Sequence, residues 1–272
     1  VLKKLLLPKQ LFMHLKKLIL YSSFCIPAAL QAQTQDSLLR EAAKTEIYEP
    51  VPPEVTPLDV FLAPPLGAII LLGDEGLDAW RSTNDTTKAA GWYFKNGVMT
   101  VNKKKGNIET RQCFMDYQLH LEWRIPENIT GSGQVRGNSG LFLASTGSGD
   151  KGYEIQILDN YKNTTYVNGQ VGAVYKQHVP LANACKKPGE WQSYDVFWKA
   201  PRFNSDGSLA SAAMVTVMHN GILIQNNVML QGETQWIGQP VYKAHGASPV
   251  KLQSHGDPSE PISFRNIWIR PL

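Results

Sequence analysis

From about residue 68 onward, apolar and polar positions alternate with a period of two, the signature of strands that bury one face. In residues 152–160 (GYEIQILDN), Tyr153, Ile155 and Ile157 fall on one side, and Glu154 and Gln156, with Leu158 beyond them, on the other. Residues 113–125 repeat the pattern over a longer run. Tyr117, Leu119, Leu121, Trp123 and Ile125 oppose Asp116, Gln118, His120, Glu122 and Arg124. Further strands are predicted at 69–72, 138–144, 172–175, 191–198, 251–255 and 262–270. Two hairpins are predicted, 92–95 with 98–102 and 214–219 with 222–226, because Asn96-Gly97 and Asn220-Gly221 suit two-residue turns. Many short alternating strands and almost no helical period predict an all-β, antiparallel two-sheet sandwich of jelly-roll type.

The first 65 residues read differently. Residues 1–32 carry Lys3, Lys4, Lys9, Lys16 and Lys17 and no acid, then an apolar run and a small-residue end, the layout of a signal peptide. Residues 33–65 are a Pro-rich tether (EPVPPEVTP) with room for a short helix at 37–44, and 66–272 form a single domain. The whole chain has 27 Lys and Arg against 23 Asp and Glu, and removing the leader's five lysines leaves 22 against 23. The basicity therefore belongs to the leader. No nucleic-acid partner is expected, and no stable membrane insertion once the leader is gone. Export is expected, to the periplasm or the cell surface. Cys113 and Cys185 could pair in an exported protein or remain free thiols, and neither has metal-site spacing.

Candidate chemistry sits on the polar faces. Three strands side by side would put His120, Glu122, Asn138, Glu154 and Gln156 on one surface. Asp159 ends the 152–160 stretch, where a bulge could turn it inward. Tyr175, Lys176 and His178 follow in a loop, and Lys251, Gln253 and His255 share a strand face. No metal is assigned. A divalent ion is left open, since His120, Glu122, Asp159, His178, His245 and His255 include good ligand types without ligand spacing.

GNSGLFL (137–143), YEIQILD (153–159), NGQVGAVY (168–175), NACKKPGEW (183–191), LQSHG (252–256) and FRNIWIRPL (264–272) together resemble the 3-keto-disaccharide hydrolase family. The likeness runs in order through 66–272 and implies a concanavalin A-like sandwich. One departure is LLGDEGLDAW (71–80), where the family usually has Phe-Asp-Gly, which argues against a role for an acid in that loop. The resemblance implies a hydrolase acting on an oligosaccharide or glycoside already oxidised at C3. A C3 ketone acidifies the C2 hydrogen, so a base can remove it, the enolate expels the C1 substituent, and water adds back. On that expectation Glu154 is the base, His255 or His178 the acid or electrophile, and Glu122 with Arg124 sets the local field. Gln156, Asn138, Asp159, Tyr175, Lys176 and Gln253 would hold substrate.

Two other readings compete. Glu154-Ile-Gln156-Ile-Leu-Asp159 is a degenerate form of the Glu-x-Asp-x-x-Glu strand of family 16 glucanases, which would make the chain a conventional two-carboxylate glycosidase. A non-catalytic carbohydrate-binding module is the other, since sandwiches of this class bind sugars through aromatics and amides.

Overall fold

The computed structural model describes residues 34–57 and 63–272, so the predicted leader lies outside the described residues. The chain divides into two units, Val1–Thr45 and Glu46–Leu272. In the first, residues 34–43 are helical. No helix among the described residues is long and apolar enough to cross a membrane.

The second unit is built of strands. In chain order they are β1 (Ile69–Leu72), β2 (Trp80–Ser82), β3 (Tyr93–Lys95), β4 (Val98–Thr100), β5 (Ile108–Thr110), β6 (Tyr117–Arg124), β7 (Ser139–Ser145), β8 (Gly152–Ile157), β9 (Trp191–Lys199), β10 (Arg202–Phe203), β11 (Leu209–Ser211), β12 (Met214–His219), β13 (Ile222–Met229), β14 (Lys251–Leu252) and β15 (Ser263–Pro271). An eight-stranded sheet runs β13-β12-β9-β6-β15-β4-β3 with β1 added on β15, and a five-stranded sheet runs β2-β5-β14-β7-β8. Every ladder in both is antiparallel. Both predicted hairpins form, with positive φ at Asn96 and Gly97 and at Asn220 and Gly221. The 172–175 segment is not a full strand, yet it lies along the open edge of β8. Tyr175 N donates to Glu154 O, and Gln156 N donates to Ala173 O.

Alternation dictates the core. Tyr117, Leu119, Leu121 and Trp123 of β6 meet Tyr153, Ile155 and Ile157 of β8 and Tyr194, Val196 and Trp198 of β9 in one buried cluster. Leu158, expected beyond the polar face, joins that cluster just past the end of β8. Two phenols cross the sandwich to reach acceptors, as buried hydroxyls must. Tyr117 Oη donates to Leu143 O at 2.6 Å and Tyr194 Oη to Gln156 O at 2.7 Å. The second bond holds β8 from beneath.

The shared polar surface expected of three adjacent strands does not form. β6 pairs with β9 and β15, whereas β7 and β8 belong to the other sheet. Alternation says which residues share a strand face, but not which sheet the strand joins. Glu122 and Arg124 therefore face outward on the eight-stranded sheet, on the opposite side of the sandwich from Glu154. There Glu122 accepts from Arg265 Nε at 2.5 Å and Asn266 Nδ2 at 2.8 Å, and the guanidinium groups of Arg124 and Arg265 lie over Trp191. His120 Nδ1 is 2.7 Å from Asp195 Oδ1, and its ring stacks on Trp268. Burial opposes the charges in this cluster, but the partners prevail: His120 is raised by Asp195 and Glu122, and Glu122 is lowered by His120, Asn266 and Arg265.

Residues 46–57 of the Pro-rich segment lie against the sandwich. Val167 N donates to Ile47 O, Ile47 N donates to Asn168 Oδ1, and Glu54 bridges to Asn183. Cys113 and Cys185 are both free.

Candidate active site

The outward face of β8 forms the floor of an open cleft of about 540 Å³. Glu154 and Gln156 rise from β8, Asn138 stands before β7, Gln253 and His255 follow β14, and Tyr175 flanks the β8 edge. Gly140, opposite Gln156 on β7, makes room, because a Cβ there would collide with Glu154 Oε1.

Glu154 is only 6% exposed, and no protein group among the described residues hydrogen-bonds its carboxyl. Burial, reinforced by the nearby Asp150 charge and only partly offset by Lys251, holds it well above the usual carboxylate range. Its surroundings thus favour the protonated form. The amides beside it form a chain. Gln156 Nε2 donates to Asn138 Oδ1 at 3.0 Å, and Asn138 Nδ2 donates to Gln134 O at 2.8 Å. Gln253 is fixed by its backbone, with its N–H on Gly140 O, while its buried Oε1 has no partner among the described residues.

His255 makes a dyad with a residue the sequence reading did not select. Its Nδ1 lies 2.9 Å from Asp257 Oδ2, which leaves Nε2 for the cleft. Burial would raise Asp257, but His255, Ser259 and Lys103 together hold it well below the usual carboxylate range. Asp257 N also lies 3.3 Å from Nδ1, so the Asp257 side chain and backbone together orient the ring with its Nε2 edge toward the cleft.

The rim is tied down from two sides. Lys251, fully buried, donates through Nζ to Gly147 O and Gly149 O at 2.9 Å and Lys151 O at 2.7 Å, and its burial pulls it down to about 8. This cage presents Asp150 to the cleft. Asn107 Nδ2 holds Asp150 Oδ1, and Asn107 Oδ1 accepts from Ser254 N, so the loop and the His255 segment share one anchor. Across the cleft, the hydroxyls of Tyr166 and Tyr175 bond to each other at 2.8 Å. Burial pushes both phenols well above their ordinary value. Trp236 stands beside them, 44% exposed.

Of the residues singled out from sequence, Glu154, His255, Gln156, Asn138, Tyr175 and Gln253 meet in this cleft. Glu122 and Arg124 are on the other sheet. Asp159 does not turn in: it faces Arg136 Nε at 2.7 Å and accepts from Tyr161 N, closing the turn after β8. His178 Nε2 lies 2.9 Å from Met229 O at the end of β13 and so serves the scaffold. Lys176 stands behind the wall, with Nζ on Trp236 O at 2.9 Å and over the rings of Tyr166 and Tyr175. Among the described residues, no three His, Cys, Asp or Glu gather closely enough to hold a metal. Asp150, Tyr166, Trp236 and Asp257 escaped the sequence reading. The Asp two residues after His255 and the Trp in the Gly/Pro-bounded loop GETQWIGQP were the available signals.

An antiparallel jelly-roll sandwich with an acid-bearing polar cleft on its smaller sheet has the architecture of the lectin and glycosidase sandwiches. The chain belongs to the 3-keto-alpha-glucoside-1,2-lyase-like domain family, whose model matches residues 67–270. It is 53% identical to a "putative glycosyl hydrolase" from Parabacteroides distasonis ATCC 8503, with 85% of this chain and 96% of that one covered and a TM-score of 0.73. A second protein of the same description and strain shares 20% identity over 76% of this chain and 94% of its own, with a TM-score of 0.55, and supports the fold alone. No curated protein matches.

Proposed function

We propose that this protein is a glycoside-acting enzyme that cleaves 3-keto-glycosides by elimination across C1 and C2, followed by addition of water. Family membership and a relative described as a glycosyl hydrolase support the broad class. The observation that carries the finer reading is a pairing in one cleft: a buried carboxyl whose surroundings favour its protonated form, and a His–Asp dyad that turns its other ring nitrogen to the cleft.

These states reverse the role expected of Glu154. A base must be unprotonated at rest, and burial disfavours that form of Glu154. His255 Nε2 therefore takes the C2 proton, with Asp257 stabilising the imidazolium that forms. The C2–H electrons become the C1=C2 bond as the C1–O bond breaks, and Glu154 delivers its proton to the departing oxygen. The products are an unsaturated 3-keto sugar and the free alcohol. Water then adds across C1=C2 and restores a saturated 3-keto sugar. Gln156 and Gln253 orient ring hydroxyls through their amides.

The test is turnover of methyl 3-keto-α-glucoside against methyl α-glucoside, with and without chelator. Activity on the ketone alone is expected. Glu154→Gln and His255→Asn are each expected to lower kcat by about 10²–10⁴-fold. Equal activity on the unmodified glucoside would instead favour a two-carboxylate glycosidase, a reading to which Asp150 beside Glu154 lends itself. Binding without turnover of either would leave a carbohydrate-binding module.

A further inference from the structure

The cleft is divided along β8. On one side lie β7 and β14, which bring the hydrogen-bonding groups Asn138, Gln253 and His255. On the other side the 172–175 segment runs along the open edge of β8, bringing Tyr175 with Tyr166 behind it. The loop carrying Trp236 and Ile237 completes that second side. Glu154 stands on the strand between the two halves.

The aromatic half is held in place, not merely left exposed. Glu233 N donates to Val241 O and closes the base of the Trp236 loop. Gly232 sits at this closure with φ +140, pressed against the Val241 backbone so that no side chain would fit. Thr234 Oγ1 accepts from Glu154 N at 3.2 Å and donates to Gly152 O at 3.1 Å, fastening the loop to β8. Lys176 Nζ binds Trp236 O at 2.9 Å. With the main chain fixed at both points, an indole 44% exposed beside two neutral phenols is a built surface. Its two phenol hydroxyls are engaged with each other and Gln235 is the amide beside them, so what the wall chiefly offers is the flat aromatic carbon of the indole and phenol rings.

The geometry points to a leaving-group subsite on this wall, with Trp236 as its stacking platform, for an aglycone that presents a flat apolar face: a second pyranose ring or an aryl group. This rests on the elimination reading above, in which Glu154 protonates the departing oxygen. The oxidised ring then occupies the amide and imidazole half, and the departing group crosses Glu154 onto the aromatic half. Trp236 is a specificity-determining residue, because a small leaving group ends short of it.

The experiment compares kcat/KM of the full chain and of Trp236→Ala and Trp236→Phe on three 3-keto-α-glucosides, with methyl, p-nitrophenyl and glucosyl leaving groups. Differences in leaving-group reactivity cancel when each substrate is referred to wild type. Trp236→Ala is expected to lower kcat/KM for the two ring-bearing substrates about tenfold more than for the methyl one, chiefly through KM, with Trp236→Phe recovering most of the loss. A loss confined to one ring-bearing substrate identifies which ring the wall takes. An equal loss on all three, or no loss on any, overturns the subsite. Far-ultraviolet dichroism and a thermal melt identify any variant that fails to fold, in which case Trp236→Leu, which keeps apolar bulk without a flat aromatic face, carries the comparison against wild type. Should wild type turn over none of the three ketones, the elimination reading fails by itself. Calorimetric titration of wild type and Trp236→Ala with maltose and methyl α-glucoside then decides the subsite, with selective loss of maltose binding supporting it and unchanged binding overturning it.

Discussion

Replacing Glu154 with glutamine is expected to stabilise the protein by an amount that grows with pH. The carboxyl is 6% exposed, has no hydrogen-bond donor among the described residues and lies near the Asp150 charge, so the fold favours its neutral form. In the unfolded chain it ionises near the ordinary value of about 4.3. Between that value and its raised folded value, the native state holds a proton that the unfolded state has released. Stability then falls by about 1.4 kcal/mol for each pH unit gained. Glutamine removes this loss, so the variant's advantage over wild type climbs at the same slope. Any packing cost of the amide is a constant offset and leaves the slope untouched. Asp257 and His120 titrate alike in both proteins and cancel, and Lys251, pulled down to about 8, changes charge above the window. Urea unfolding of both proteins between pH 5.0 and 6.5 measures the difference, which is expected to rise by about 1.4 kcal/mol from pH 5.0 to 6.0. A flat difference would mean an ionised carboxylate in the fold, and the proton-donor role would fall with it.

On the far face of the sandwich, Asp195→Asn removes the partner that helps keep His120 protonated against the cost of its burial. Since the folded value of this histidine is raised, its stabilisation is full below about 6.5 and is lost as pH rises through the folded value. The wild-type advantage over Asp195→Asn in urea is therefore expected to be larger at pH 6 than at alkaline pH, with kcat unchanged, and an advantage that does not change with pH would refute it. Lys251→Met deprives three loop carbonyls of their ammonium donor. Amide exchange across residues 146–152 is expected to quicken at least about tenfold while β6 stays protected, and unchanged exchange would show that the loop holds itself.

The strands were legible because the faces of each are chemically unlike. Leu119, Leu121 and Trp123 alternate with Gln118, His120 and Glu122 so regularly that β6 could be drawn from the sequence, and the two Asn-Gly turns marked their hairpins. What period two cannot carry is the partition of strands between sheets. β6 is as polar on its outer face as β8, yet its His120 and Glu122 are engaged by Asp195 and Arg265. Pairing depends on contacts between strands far apart in the chain, such as β6 with β15, and no local pattern encodes them.

Within the cleft, legibility followed the same division. Glu154, Gln156 and Asn138 lie on or beside strands, where parity announces them. Trp236, Tyr166 and Asp150 lie in loops whose positions are set by hydrogen bonds from distant parts of the chain, such as Lys176 to the Trp236 carbonyl and Lys251 to the 147–151 carbonyls. The upward shift of the Glu154 carboxyl was the least legible feature, because it belongs to the surroundings and not to the residue. The Thr234 loop fastened over β8 closes in on Glu154, and the absence of a side chain at Gly140 gives its carboxyl room. The same glutamate on the solvated rim of the sandwich would be an ordinary carboxylate and a base. Burial favours the protonated form of Glu154, which is why the proposed mechanism gives it the part of acid and leaves that of base to the His255 imidazole.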